Sequence, residues 1–549
     1  MIIPNCMETT KKTKYWLPLV MAACVVVGLV LGTLLTRQYE AGNGKRLNNL
    51  NKLSALLGLI DNKYVDSLDL TKISEDLIPY VLKELDPHSV YMSAEERKLS
   101  DAQIEGRFGG IGVEFRMLDD TIFVTSVVKG GPSERVGLLA GDRIVTIEDS
   151  VFAGKGIGSE AVMKRLRGEK GKAVNIGVYR KGEPGLLPFT IVRDDIPVYS
   201  VNAKYKIGQD VGYIRIGDFG RNAHAEFLNA VASLRNQGCG RLIIDLRGNT
   251  GGLMDAALNI ANEFLPANRL ILYTQGKAYK REDVYSNGKG SCQQYPVVVL
   301  VDEWSASSSE IVAGALQDND RAWIVGRRTF GKGLVQQEIP FRDGSAVRLT
   351  IARFYIPSGR CIQKHYNNGD DESYQYDILN RYLNGELGSR DSIRTIDSLR
   401  FETRGGRTVY GGGGIVPDYF VALDTSGYTA WYSQVVGNGL VSGFAYTWAV
   451  DNRERLKAFN TPNKLAAYLD ELDLITPFLK YATARNVRGR YEFISPSLPM
   501  VQRDIESNIA RMLMGEDAFW MLYQDGDPLL DKAVEVIVKA GNVVVAGNE

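Results

Sequence analysis

Ser305-Ala306-Ser307-Ser308-Ser309-Glu310-Ile311 follows an apolar run, Val297 to Val301, and opens a helix of small residues through Ala313, Gly314 and Ala315. Where a strand turns into a helix, the first backbone N–H groups lack partners and the helix dipole presents its positive end. A serine hydroxyl placed there can attack a carbonyl, because donors already face the oxygen on which negative charge develops. A second short apolar strand, Ala322 to Val325, leads to Phe330-Gly331-Lys332-Gly333, one lysine between two glycines. Serine needs a base before it can attack, and a lysine kept neutral by its surroundings can serve. Together the two stretches predict a Ser–Lys peptidase.

Composition removes several rivals. The 549 residues carry 65 basic and 65 acidic side chains, so there is no basic excess of the kind a nucleic-acid binder shows. Cys6, Cys24, Cys239, Cys292 and Cys361 form no CxxC and no paired zinc spacing, which implies neither a disulfide framework nor a metal site. With only His88, His224 and His365 available and no HExxH, neither a zinc protease nor a histidine-based triad is indicated. His88, in Leu85-Asp86-Pro87-His88-Ser89, reads as part of a turn. No cofactor is expected.

Residues 15–35 are apolar and uncharged, long enough for one transmembrane helix. Lys11, Lys12 and Lys14 precede them and only Arg37 follows closely, so residues 1–14 are expected in the cytoplasm and the rest outside it. The expectation is a single-pass anchor in the inner cell membrane with an extracytoplasmic, periplasmic catalytic part. A cleaved signal peptide is the competing reading, but the apolar run is long and Gly32-Thr33-Leu34-Leu35 offers no clear cleavage site.

The exported part divides by texture. Residues 45–100 are helical by their leucine spacing: Leu47, Leu50, Leu53, Leu56, Leu57 and Ile60, then Ile73, Leu77, Val81, Leu82 and Leu85. Residues 103–194 change to short strands and glycine turns, with a helix at Ser159 to Leu166. Their order resembles a circularly permuted, bacterial PDZ domain, mostly β. Its glycine-rich loop, Phe108-Gly109-Gly110-Ile111-Gly112-Val113, would form a nest of N–H groups for a peptide's C-terminal carboxylate, the peptide adding as a strand. Arg193 to Pro197 reads as a linker. Residues 198–424 alternate strands and helices as an α/β core, with a polar insertion at about 365–405, and 425–549 form a helical extension.

With the motifs in this order, residues 45 to 424 resemble the carboxy-terminal processing proteases, also called tail-specific proteases. The resemblance rests on Leu85-Asp86-Pro87-His88-Ser89, the loop at 108–112, Asp245-Leu246-Arg247 with Gly251-Gly252-Leu253, the serine run, Thr329 to Gly333 with Gln336, and Pro357-Ser358-Gly359-Arg360. It implies a multidomain α/β serine endopeptidase in which Ser307 attacks, Lys332 is the base and Gln336 orients it. Lys332 follows Ser307 by 25 residues, the spacing of that family. Ser308 stands where the family usually has alanine, leaving three consecutive serines. Burial beside Phe330, away from carboxylates, would depress the lysine. The backbone N–H of Ser308 and one from Gly251 or Gly252 are the candidate oxyanion donors, while Ser305 and Ser309 would shape the turn.

Two other readings weigh against this one. Gly326 to Lys332 matches the first seven positions of a phosphate-binding loop, but Gly333 stands where Ser or Thr would hold magnesium. The alternative in another class is a catalytically inactive PDZ adaptor that only binds peptides, against which the joint presence of Ser307, Lys332 and Gln336 argues. Expected partners are proteins or peptides with apolar C-termini, and the membrane through the N-terminal helix. Self-association into a homo-oligomer is compatible with the chain, and no nucleic acid is expected.

Overall fold

The computed structural model of the chain describes residues 20–28, 30, 52–148 and 150–539. It falls into two compact units, Met1–Val81 and Leu82–Glu549. In the first, helices run over 20–28 and 52–63, and another starts at Leu70, in keeping with the apolar spacing. Of the predicted transmembrane helix at 15–35, residues 20–28 and 30 are helical; its other positions, and residues 1–14, lie outside the described residues. Among the described residues no helix is long and apolar enough to cross a membrane.

The second unit begins with the Asp86–Ser89 turn, then β1 (Val90–Met92) and α1 (Ala94–Glu105). α1 starts at a reciprocal cap: the Ser93 hydroxyl accepts from the Glu96 amide, and the Glu96 carboxylate accepts from the Ser93 amide. β2 (Arg107–Gly110) leads into the PDZ fold: β3 (Val113–Leu118), β4 (Thr121–Val127), β5 (Arg143–Ile147), α2 (Ser159–Leu166), β6 (Ala173–Tyr179) and β7 (Leu186–Val192). The antiparallel order β3-β4-β5-β6-β7 leaves β3 at an edge. Ile122, Val124, Ile144, Val174, Val178 and Ile191 form the core, closed by Val162 and Leu166 of α2. The predicted linker is partly a strand, β8 (Asp194–Pro197), paired antiparallel with β2 from Arg107↔Pro197 to Gly110↔Asp194. Entry and exit of the PDZ domain thus satisfy each other's backbone groups.

The core follows as β9 (Val201–Ile207), β10 (Val211–Ile216), α3 (Ala223–Asn236), β11 (Arg241–Asp245), α4 (Met254–Phe264), β12 (Leu270–Gln275), β13 (Glu282–Tyr285), β14 (Val297–Val301), α5 (Ser308–Asp318), β15 (Trp323–Gly326), β16 (Leu334–Pro340), β17 (Ala346–Tyr355) and β18 (Tyr419–Phe420). One sheet has the order β9-β10-β11-β14-β15-β18, parallel from β10 onward. Its central strands are buried on both faces, which is why Val297 to Val301 is wholly apolar. α3, α4 and α5 cover one face. A second sheet, β1-β17-β12-β13 with β16 beside β17, carries the chain after the lysine loop. The loops that form the site leave the carboxyl ends of β11, β14 and β15, where open α/β sheets place their ligands.

The polar insertion at 365–405 is less of an appendage than its composition suggests. Arg381 and Glu386 are buried and paired at 2.8 Å, and Arg381 Nη1 donates to the Thr329 carbonyl at 3.1 Å. These two charges face inward and brace the loop that leads to Lys332.

The extension contains α6 (Leu440–Asp451), α7 (Leu498–Met514), α8 (Glu516–Tyr523) and α9 (Pro528–Lys539). Trp431, Phe444, Phe478, Ile505 and Ile509 belong to its own core. α9 lays Leu529, Ala533 and Val536 on the other face of the main sheet, against Val298, Leu300 and Val325. On the PDZ side, Tyr446 stacks on Phe123 at 5.9 Å, and Lys181 pairs with Asp451 at 2.5 Å.

Candidate active site

Of the four serines in the turn after β14, three have their hydroxyls spent. Ser305 Oγ donates to the Leu246 carbonyl at 2.8 Å, Ser308 Oγ to Gly252 O at 3.0 Å and Ser309 Oγ to Asn249 O at 2.8 Å. Ser307 Oγ donates to no protein group among the described residues, and its side chain lines a cleft of roughly 630 Å³. Its backbone has φ 54 and ψ −112. A non-glycine residue in that region costs on the order of 1–3 kcal/mol and persists where surrounding structure imposes it. The sharp, strained strand-to-helix turn that aims a nucleophilic serine has this character. Asp302 fixes the turn by accepting from the amides of Gly248, Trp304 and Ser305, each at 3.0 Å.

The lysine loop is tied to the same turn by Glu310. This carboxylate, with no exposed surface, accepts from Ser307 N at 2.8 Å, Thr329 Oγ1 at 2.6 Å, Gly331 N at 2.7 Å and Lys332 N at 2.8 Å. Burial pushes the carboxyl up, and the four donors oppose that shift. Glu310 therefore joins the serine turn to the lysine loop. The sequence reading treated it only as the start of a helix; its spacing three residues after Ser307 was the available signal.

Lys332 Nζ donates to Gln336 Oε1 at 3.0 Å, and among the described residues no hydrogen bond joins it to Ser307 Oγ. Burial and the Arg348 charge bring the ammonium down to about 8, against Asp86 and Glu310, which raise it. The expected setting away from carboxylates needs correction. The Phe330 ring carries Lys364 Nζ at 3.8 Å, and two carboxylates act on Lys332 without outweighing burial. Gln336 is itself held, its Nε2 donating to the His88 carbonyl. Asp86 supports that turn by accepting from the amides of His88 at 3.0 Å and Ser89 at 3.1 Å, and from Thr350 Oγ1 at 3.0 Å. The His88 ring meets Tyr374 OH at 2.9 Å, and burial pulls its pKa to about 3, so it is neutral near pH 7.

The same loop disposes of the phosphate-binding reading. The amides of Thr329, Phe330 and Gly333 donate to Ile415 O, Ser305 O and Gln363 Oε1, and those of Gly331 and Lys332 to Glu310. These N–H groups are committed within the protein and cannot cradle phosphates.

Opposite Ser307 lies the loop after β11. Gly251 N donates to Asn249 Oδ1 at 2.8 Å, so its amide is spent; the amides of Gly252 and Ser308 meet no protein acceptor among the described residues. Of the two glycine candidates only Gly252 keeps a donor. Both positions demand glycine: a Cβ on Gly251 would stand 2.8 Å from Ser307 Cβ, and one on Gly252 2.5 Å from Phe219 O. Leu253, Ile311, Leu334 and Phe354 give the cleft apolar walls, and Gln103 and Ile104 of α1 also line it.

A second groove, of roughly 400 Å³, lies between β3 and α2. Phe108, Gly110, Ile111, Gly112 and Val113 line it as expected; Gly109 does not, because its backbone abuts Gly168, whose amide donates to Gly109 O at 3.1 Å. Glu114 and Phe115 of β3 and Ser159, Met163, Leu166 and Arg167 on the helix side complete the lining, with the Arg167 guanidinium 4.3 Å from the Phe108 ring. The helix is legible in the sequence, but its packing against the glycine loop, which makes its residues part of the groove, appears only once the domain is folded.

Comparison with known proteins gives the family. Residues 210–372 match peptidase family S41, residues 109–188 match the PDZ domain, and residues 431–515 match a family of unknown function. The chain is similar to the carboxy-terminal processing protease CtpB of Bacillus subtilis (strain 168), 35% identical over 325 residues that cover 59% of this chain and 67% of that one. It is also 35% identical over 342 residues to a carboxy-terminal-processing protease of Bartonella bacilliformis, covering 61% of this chain and 76% of the relative. Among solved structures it is similar to the photosystem II D1 C-terminal processing protease, at 29% identity over 56% of this chain and 82% of that one, with a TM-score of 0.31. The chain is thus a member of the carboxy-terminal processing proteases, serine endopeptidases of family S41 that carry a PDZ domain.

Proposed function

We propose that the protein is a membrane-anchored endopeptidase that takes exported proteins by their apolar C-termini and cleaves them with Ser307 as nucleophile and Lys332 as base. One observation carries the assignment: of the four serines in the turn, only Ser307 has a hydroxyl that donates to no protein group among the described residues, and it lines the cleft it shares with Lys332. Neutral Lys332, aimed by Gln336, accepts the hydroxyl proton as Ser307 Oγ bonds to the scissile carbonyl carbon. The carbonyl oxygen takes the negative charge against the amides of Gly252 and Ser308. When the C–N bond breaks, the leaving amine takes the proton from Lys332, leaving an acyl-enzyme. A water then gives its proton to Lys332 and attacks the ester, and Ser307 recovers a proton as the acid product leaves.

Substrate capture belongs to the PDZ groove. The C-terminal carboxylate would meet the Gly110–Gly112 loop, the last side chain the apolar lining of Ile111, Met163 and Leu166, and the peptide would pair along the free edge of β3. The apolar segment at 15–35, preceded by three lysines, supports an anchor with the catalytic part outside the cytoplasm. The test compares the full chain with Ser307→Ala and Lys332→Ala on an unfolded protein ending in apolar residues. Cleavage that resists chelator and disappears in both variants is expected. Cleavage by the Ser307→Ala protein, or three inert proteins that still bind the tail, would overturn the mechanism.

A further inference from the structure

The loop that brings Gly252 to the cleft starts at a buried charge cluster, and part of that cluster comes from the far end of the chain. Asp245, at the end of β11 with no exposed surface, accepts from Tyr213 OH at 2.6 Å, Arg215 Nη1 at 3.1 Å, Arg247 N at 2.9 Å and Arg247 Nη2 at 2.7 Å. Burial alone would push this carboxyl up, but the charges of Arg247 and then Arg215 outweigh it and hold Asp245 well below the usual range. Two largely buried guanidiniums, 15% and 13% exposed, around one carboxylate leave an unbalanced positive charge with little water to solvate it, an arrangement that is costly unless a further anion meets it.

The extension supplies that anion. Asp527 Oδ2 accepts from Arg247 Nη1 at 2.5 Å. Gln524 Nε2 donates to Tyr213 OH at 2.7 Å while its Oε1 accepts from Tyr205 OH at 2.6 Å, and the Arg215 guanidinium lies 4.0 Å from the Trp520 ring centre. Asp527 is fixed in turn, because its Oδ1 accepts from Leu529 N at 2.9 Å where α9 begins, and α9 is packed on the main sheet.

Beyond Arg247 the chain passes straight to the active site. Gly248 N donates to Asp302, the Asn249 carbonyl accepts from Ala306 N at 3.0 Å and Ser309 Oγ at 2.8 Å, and Gly252 follows three residues later. We infer that the C-terminal extension braces the catalytic loop: Asp527, helped by Gln524 and Trp520, completes the Asp245–Arg247 cluster and so holds the Gly252 amide in register with Ser307. These are positioning residues, since none touches the cleft. The inference rests on the proposed Ser307 mechanism and gives the helical extension a part in the chemistry. The three residues lie beyond residues 431–515, the stretch matched to a family of unknown function.

The test uses the full chain with Asp527→Ala, Asp527→Asn and Gln524→Leu, reading kcat and KM separately on one peptide with an apolar C-terminus, together with thermal unfolding. Asp527→Ala should lower kcat roughly ten- to a hundredfold, the scale of a misplaced catalytic group. KM should stay within about twofold, because substrate binding in the ground state does not use the brace. Asp527→Asn, which keeps an acceptor for Arg247, should recover part of the loss. If Asp527→Ala does not fold, folded Asp527→Asn decides alone, and a lowered kcat at unchanged KM is required of it. Wild-type kcat in folded Asp527 variants, or a loss that merely follows the fraction folded, would overturn the brace. Ser307→Ala runs in parallel: if it still cleaves, the nucleophile assignment fails while the Asp527 comparison still judges the brace.

Discussion

Removing the positive charge of Arg348 should move the pH dependence of cleavage to higher pH. Lys332 stands at about 8, against 10.5 for a free lysine. At 1.36 kcal/mol per pH unit this depression amounts to about 3 kcal/mol in favour of the neutral amine. With the base required neutral, about one-tenth of the enzyme is competent at pH 7, about half at pH 8 and about nine-tenths at pH 9. kcat/KM should therefore rise about tenfold from neutral pH to its alkaline plateau. Burial is the largest cause of the depression and Arg348 the next, with Asp86 and Glu310 opposing them. In Arg348→Gln burial remains, the two carboxylates act without that opposition, and the midpoint must rise. Activity at pH 7 should fall while the alkaline plateau is kept. The assay is kcat/KM on an internally quenched peptide across the neutral and alkaline range. Damage to the cleft would lower the plateau and leave the midpoint in place, so a midpoint that is unmoved or falls would refute the reasoning.

Three further outcomes follow from the same geometry. Glu310→Gln removes a charge that raises Lys332, so its midpoint should fall below that of the parent even as kcat drops with the loosened loops; an upward move in a pH titration would contradict this. Gly252→Ala places a Cβ 2.5 Å from Phe219 O, and kcat should fall by roughly a hundredfold or more as the oxyanion donor shifts, read by steady-state kinetics on folded protein. Met163→Glu puts a charge in the apolar PDZ groove and should raise KM for proteins with apolar C-termini while leaving short peptides that bypass the groove unaffected, a contrast seen by comparing the two substrates.

Much of the architecture is legible in the chain because the periodicities are strong. Val297 to Val301 reads as an apolar strand and Ser159 to Leu166 as a helix, and both appear at those positions. Two classes of feature escaped. Strands β12 and β13 lie in a segment where charged, glycine and apolar residues mix, and β12 pairs with β17 some eighty residues later. Pro197 and the acidic pair before it suggest a linker, yet the strand forms because β2 offers it an edge. At the site, the family resemblance points to Ser307, Lys332 and Gln336, and the fold brings all three to one cleft. Which glycine keeps its amide was not legible, since that depends on the Asn249 side chain turning back to Gly251. Nor could sequence place Asp527 beside Arg247, 280 residues away, because only packing of α9 on the sheet brings them together.

The central claim is that Ser307 is the nucleophile, and trapping the serine tests it most directly. The full chain would be treated with a fluorophosphonate, digested and mapped by mass spectrometry, with Lys332→Ala and Ser307→Ala alongside. The account predicts one adduct, on Ser307, formed more slowly in Lys332→Ala and absent from Ser307→Ala. An adduct on Ser305, Ser308 or Ser309, or cleavage that continues after Ser307 is fully blocked, would contradict it.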